Sequence, residues 1–154
     1  MGEADTYFCD EVNDNHNVAN PGKKISKKIG TRNWGYIAAT GIFATVRDLS
    51  KFWNGITHDN FLSKESTNII FDTYYETPSG LQIGYGFYKS PKTKWNTPEV
   101  WTRGTESWGH NSVIRFFPEK NTMIIVLTNS GEFGKNRMTG NKVISDLIMD
   151  YLHE

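Results

Sequence analysis

SVIRFFPEKNTMIIVLT, residues 112–128, decides the fold. SVIRFF (112–117) and TMIIVLT (122–128) are rich in β-branched and aromatic residues, and PEKN (118–121) between them is a turn, so the stretch predicts two antiparallel neighbouring strands. Met123-Ile124-Ile125-Val126-Leu127 is apolar without alternation, as in a strand covered on both faces. Arg115 interrupts the apolar pattern of the first strand and reads as a surface or edge charge.

Working outward, a further strand is expected at 105–110, and LQIGYGFY (81–88) reads as a strand that bends or lets another backbone come close at Gly84 and Gly86. Residues 89–104, with two prolines and five charges, read as a connection. Thr45 and Asp48 stand at capping-box spacing, and Val46, Leu49, Trp53 and Ile56 recur with helical period, which predicts a helix from Thr45 to about Thr57. A second helix is expected from Ser63 as N-cap, with Glu65 in its first turn and Ile69, Ile70 and Tyr74 as its apolar face, broken at Pro78-Ser79-Gly80. A C-terminal helix over 136–153 carries Val143, Ile144, Leu147, Ile148, Tyr151 and Leu152 on one stripe and Lys142, Asp146, Asp150 and Glu154 on the other face. The stripe is expected to lie on the sheet. The fold class is α+β: an antiparallel sheet with the C-terminal helix packed on it and two further helices. The expected plan is one domain over 1–154, loop-rich at 1–40, helical at 41–76, strands at 81–129 and a helix at 136–153.

With 154 residues the chain has room for one ordinary domain, and its 37% hydrophobic and 14% aromatic content can fill a core. Seventeen basic residues against 17 acidic ones give formal charge +0, which removes the basic field that non-specific nucleic-acid binding uses. Lys23, Lys24, Lys27, Lys28 and Arg32 read as a solvated loop face. The single Cys9 excludes internal disulfides and multi-cysteine metal sites. His16, His58 and His153 show no ligand spacing, so no metal or cofactor is expected. No apolar run reaches membrane-span length, and the opening MGEADTYFCDEV has no signal-peptide pattern.

Five blocks in order, GIFATVRDLSKFWNGI (41–56), FLSKEST (61–67), IGYGF (83–87), WGH (108–110) and IIVLTNS (124–130), resemble the C-terminal part of the serine β-lactamase-like hydrolases. GEADTYF (2–8) is similar to the segment that follows the family's second motif. That family includes penicillin-binding proteins, class C β-lactamases, esterases and aminopeptidases. The resemblance implies the matching α+β fold, acyl-serine chemistry on a β-lactam, peptide or ester, and action on the cell wall outside the cytoplasm.

It also implies motifs to look for. The family's nucleophile is a serine with a lysine three positions on, assisted by Y-x-N or S-x-N. No serine of this chain has a lysine at that spacing, and no tyrosine has an asparagine two positions on. Thr139-Gly140-Asn141-Lys142 has the first spacing with threonine, at the opening of the last helix, and Ser66-Thr67-Asn68 copies the second within a helix. Both read as helix features, so no catalytic residue is assigned.

The third motif is represented by His110, after Trp108-Gly109, where the resemblance expects a group facing substrate carboxylate or oxyanion. The loop usual after it is absent, because His110-Asn111-Ser112 runs directly into Val113. On residue type alone, His110 reads as a packed or hydrogen-bonded structural residue, and it is the resemblance that sets the pocket role beside that reading. His110, Asn111 and Ser112 form the candidate pocket wall, with Trp108, Gly109 and Tyr85 as candidate lining. Trp34, Tyr36 and Phe87 are core or lining aromatics. Glu106 and Glu119 have no evident partner, so a two-carboxylate mechanism has no support.

Two readings stay open: part of a hydrolase that needs the remaining half for activity, or a non-catalytic module that binds a peptide or partner. The partner expectations are a small-molecule or peptide substrate if that half is supplied, and a homo-oligomer through an exposed sheet edge.

Overall fold

A computed structural model describes residues 6–8, 41–58, 61–105, 110–129 and 140–153. Its largest feature grows from the two strands first recognised in the sequence. β7 (Asn111–Phe117) and β8 (Thr122–Thr128) pair antiparallel over seven positions, from Asn111↔Thr128 to Phe117↔Thr122. A 3₁₀ turn at Pro118–Lys120 joins them, ending on Asn121 in the left-handed region at φ 45°. The meander continues outward through β6 (Glu99–Thr105), β5 (Tyr88–Ser90), β4 (Gln82–Ile83) and β3 (Tyr75–Glu76), all antiparallel, in the order β3-β4-β5-β6-β7-β8. A separate two-residue ladder joins β1 (Tyr7–Phe8) to β2 (Ile42–Phe43).

Helices lie on both faces of the sheet. α1 (Val46–Thr57) starts where expected, with the Thr45 hydroxyl accepting the Asp48 amide at 3.1 Å. It buries Trp53 and Ile56, and the Trp53 ring meets Phe71, Phe87 and Phe116 at centroid distances of 5.3–5.6 Å. α3 (Gly140–Leu152) covers the other face, where Met149 joins Trp95, Phe117 and Ile124, with Val126 packed against them. Strand alternation explains the division: Phe116 faces α1, whereas its neighbour Phe117 faces α3. Helices thus lie on both sides of the apolar run of β8, which buries Ile124 but leaves Leu127 37% exposed. α2 (Lys64–Phe71) is capped by the Ser63 hydroxyl on the Ser66 amide at 3.1 Å. α1, α2 and α3 with this antiparallel sheet make the α+β arrangement read from the sequence.

Several elements differ from expectation. α2 stops at Phe71, before the Pro78 break, because Asp72 is already extended and β3 follows; Tyr74 lies beyond the helix and is 78% exposed. Residues 81–88 form a hairpin, β4 to β5, turning at Gly84–Phe87, where Gly86 has φ 83°. The predicted close approach is present: a Cβ on Gly84 would stand 2.6 Å from the Asp72 carbonyl oxygen. The expected connection at 89–104 contains β6, a strand made by its six-position pairing with β7 rather than by local pattern. Of the expected strand at 105–110, Thr105 ends β6, His110 precedes β7, and 106–109 lie outside the described residues. Of the predicted loop-rich segment 1–40, only 6–8 are described and they include β1; 1–5, 9–40 and the start of the last helix at 136–139 lie outside the described residues.

The largest correction concerns α3. Its sheet-facing residues are Asn141, Ser145 and Met149, whereas the apolar stripe, Val143, Ile144, Leu147, Ile148, Tyr151 and Leu152, is 37–77% exposed. The helix lies on the sheet by the opposite face. A second correction explains why. Arg115, read as a surface charge, is 5% exposed and pulls the polar side of α3 inward. Its guanidinium donates from Nε and Nη2 to Glu99 Oε2 at 2.9 and 2.6 Å, and from Nη1 to Ser145 Oγ at 3.1 Å and Asp146 Oδ1 at 2.5 Å. Trp95 and Phe117 pack their rings 5.0 and 5.3 Å from it. Lys142 Nζ closes the cluster on Asp146 Oδ2 at 2.7 Å.

Candidate functional site

The candidate wall begins where β7 begins. β2 carries Phe43 to the start of α1, and the His110 ring meets it edge-on, centroids 5.5 Å apart and planes at 82°. His110 is half-buried, just ahead of the first β7 residue. Ser112 lies across from Gly104 of β6, and its hydroxyl accepts the Gly104 amide at 3.1 Å. A side chain at 104 would intrude there, since its Cβ would stand 2.9 Å from Ser112 Oγ. Asn111 is 3% exposed and pairs in register with Thr128. The Thr128 hydroxyl is buried with no hydrogen-bond partner among the described residues.

Pleating separates the three predicted residues. Ser112 shares the α1 face of β7 with Ile114 and Phe116, and Asn111 shares the α3 face with Val113 and Arg115. Residues two apart on a strand are rooted about 6.6 Å from each other. His110 and Ser112 can therefore bound one surface, but the Ser112 hydroxyl is engaged with a backbone amide rather than with the imidazole. Tyr85 sits in the β4–β5 turn, 58% exposed, with its ring 5.8 Å from that of Tyr74. The registers place that turn at the same end of the sheet as His110 but at least two strands away, about 10 Å across the sheet. Phe87 is in the Trp53 cluster and is core. Trp108, Gly109, Trp34, Tyr36, Glu106, Cys9, His16, Thr139 and the basic run at 23–32 lie outside the described residues.

The motif near-misses are structural where they can be seen. In Ser66-Thr67-Asn68, the Ser66 hydroxyl accepts from Ser63 at 3.0 Å and the Thr67 hydroxyl donates to the Ile56 carbonyl at 3.3 Å. These residues hold the α2 start and its contact with α1. A broad depression along α2, lined by Glu65, Thr67, Asn68, Ile69, Phe71 and Asp72, shares no residue with the His110 wall. Glu119 does have a partner, accepting from the Thr97 hydroxyl at 3.3 Å. Among the described residues no group of three His, Cys, Asp or Glu is placed to hold a metal ion, and no helix is long and apolar enough to cross a membrane.

The strongest electrostatics lie on the other face, in the Glu99–Arg115–Asp146–Lys142 cluster that the sequence reading missed. Burial pushes the Asp146 carboxyl up, but hydrogen bonds from Lys142 and Arg115, and the charges of both, outweigh it and hold the group below its ordinary 3.8. Asp150 is also lowered, chiefly by its hydrogen bonds from Lys94 and Trp95. The available signal was Arg115 inside an apolar strand together with Asp146 on the helix face opposite the stripe. Every charge in the cluster is neutralised by a neighbour, which marks it as a tie between sheet and helix.

A layered sheet with a C-terminal helix on one face and two further helices is also the fold of two solved structures. One is a penicillin-binding protein from Bacillus halodurans, with TM-score 0.60 and 17% identity, covering 72% of this chain and 31% of that one. The other is the octameric penicillin-binding protein homologue from Pyrococcus abyssi, with TM-score 0.55 and 23% identity, covering 71% of this chain and 25% of that one. The likeness thus spans about a third or less of either protein's length. No curated protein matches the chain. The family model described as Beta-lactamase matches residues 4–147, and the chain belongs to that family.

Proposed function

We propose that this chain forms the sheet-and-helix portion of an acyl-serine hydrolase fold and carries no nucleophile of its own. The observation behind this is that no serine stands three positions before a lysine anywhere in the 154 residues. The hydrogen bonds of six of the seven described serines, all but Ser50, support it. Ser112 bonds the Gly104 amide, Ser90 the Trp101 indole, Ser79 the Thr77 hydroxyl, and Ser63 and Ser66 each other. Ser145, fully buried, bonds Arg115 and the Lys142 carbonyl rather than a lysine amine. A hydroxyl without an adjacent base is a poor nucleophile at neutral pH. Nucleophile and base act as a unit, so their absence costs several orders of magnitude in rate.

In this reading His110 is part of a substrate wall for a β-lactam, peptide or ester, and turnover requires the nucleophile-bearing part of the fold from another polypeptide segment. The cell-wall setting outside the cytoplasm follows from the family alone. The test is to incubate the pure chain with a fluorescent penicillin and with a fluorophosphonate and to record intact mass. An unmodified mass is expected, and a stoichiometric adduct on any serine would overturn the proposal. The exposed α3 stripe favours the second reading, a non-catalytic module that associates with a partner.

A further inference from the structure

His110 stands one residue ahead of β7, so the strand fixes where its side chain is rooted but not how the ring lies. An imidazole turns about a torsion with a broad, roughly two-fold profile, so its plane is set by what packs against it. Ser112, two residues on, does not serve, because its hydroxyl is taken by the Gly104 amide at 3.1 Å. Phe43 does: the two rings stand 5.5 Å apart at 82°, the edge-to-face arrangement that aromatic quadrupoles favour. A phenyl ring carries no hydrogen-bonding group, so it orients the imidazole while claiming neither ring nitrogen.

Phe43 is itself held on several sides. Its rung with Tyr7 joins β2 to β1, after Gly41 at φ 89° has turned the chain into the strand. Two residues on, the Thr45 hydroxyl caps α1 through the Asp48 amide at 3.1 Å. The Asp48 carboxylate in turn accepts from the Thr6 hydroxyl, just before β1, at 3.2 Å and from Lys51 at 3.3 Å. β1, β2 and the start of α1 therefore close on one another around Phe43. α1 then docks on β7 through Trp53 and Phe116, whose ring centroids are 5.3 Å apart. Phe43 and His110 are thus both referred to β7, one through a capped helix and the other through the chain itself. Each of these contacts is made between described residues.

We propose that Phe43 is a positioning residue for His110: it sets the plane of the imidazole, and with it the direction in which the ring nitrogens meet a carboxylate or oxyanion. The proposal rests on the reading of His110 as part of a substrate wall and adds the residue that aims it. An edge-to-face pair of this kind shifts the balance between ring orientations by about two- to tenfold. Leucine at position 43 would keep an apolar contact but has neither face nor edge to prefer one plane.

The experiment is NMR of the imidazole resonances of the full chain, with His110 assigned from His110→Gln. Cross-relaxation between the His110 and Phe43 ring protons is expected in the unaltered chain. Phe43→Leu should move the His110 ring resonances toward those of the exposed His153, and Phe43→Tyr should restore them. Ile42→Ala, on the opposite face of β2, should leave them in place. Benzylpenicillin, which carries a carboxylate, should displace the His110 resonances, with a midpoint about two- to tenfold higher in Phe43→Leu and unchanged in Phe43→Tyr. Circular dichroism verifies folding; if Phe43→Leu does not fold, cross-relaxation in the unaltered chain and the Phe43→Tyr titration decide. Absence of cross-relaxation, His110 resonances indifferent to Phe43→Leu, or equal displacement by Ile42→Ala overturns the proposal at the contact itself. His110 resonances that respond to Phe43 but not to benzylpenicillin overturn the substrate wall instead, and reduce the contact to packing.

Discussion

Replacing Arg115 by methionine removes the one group that, among the described residues, joins β6, β7 and α3 through charge. The guanidinium side chain is 6% exposed, and the carboxylates it bonds on Glu99 and Asp146 are 10% and 17% exposed. The variant strands Glu99, which keeps no cation among the described residues, while Asp146 retains only Lys142. Breaking a buried pair from one side costs about 3–5 kcal/mol, because the abandoned charge remains out of water. That is a fifth or more of the roughly 5–15 kcal/mol that holds a domain together. For a chain of this length each kcal/mol moves Tm by about 2–4 °C, so the loss corresponds to about 6–20 °C. Urea unfolding followed by tryptophan fluorescence suits the measurement, since the Trp95 ring lies 5.0 Å from the guanidinium. Arg115→Met should shift the midpoint strongly at unchanged slope. The triple variant Glu99→Leu, Arg115→Met, Asp146→Leu should recover most of the loss, because well-packed apolar groups replace buried ion pairs at little cost. If Arg115→Met alone costs under about 1 kcal/mol, the scale of an exposed pair, the cluster does not tie helix to sheet and the reasoning is refuted.

Gly84→Ala should destabilise by more than the same change at Gly80. The Cβ at 84 meets the Asp72 carbonyl at 2.6 Å, whereas at 80 only the positive φ of 82° opposes it, at about 1–2 kcal/mol; thermal melts giving the reverse order would contradict the packing described for α2 against the β4–β5 turn. For pH, the sign follows from the lowered Asp146 carboxyl. Its folded pKa lies below 3.8, so its contribution is complete above the unfolded value and is lost as pH falls through the folded one. Urea midpoints should therefore hold from pH 7 to 5 and fall below about pH 4. Asp146→Asn should flatten that fall, leaving the share of Asp150, and an unchanged acid limb would show that the cluster is not responsible.

Legibility in the sequence followed the range of the interactions. The start and end of α1 were readable because Thr45 caps Asp48 three residues on and the helix buries residues of its own period. β7, β8 and their turn were readable because composition and punctuation lie within 17 residues. β6 was not, since its prolines and charges resemble a connection and only pairing with β7 makes it a strand. The position of α3 was legible but its rotation was not. Counting apolar residues assigns the stripe to the sheet, yet Arg115 engages Glu99 16 residues away and Ser145 and Asp146 30 and 31 residues away, bringing the polar face down. At the candidate wall, the sequence singled out His110, Asn111 and Ser112 by resemblance. Pleating, which sends Asn111 to the α3 face, and the engagement of Ser112 by Gly104 needed the sheet register.

The most direct measurement is the hydrolysis of a chromogenic cephalosporin by a homogeneous sample of the chain. The account predicts a rate indistinguishable from buffer, unchanged by His110→Ala. Sustained turnover that disappears on replacing one of the chain's own serines would contradict it.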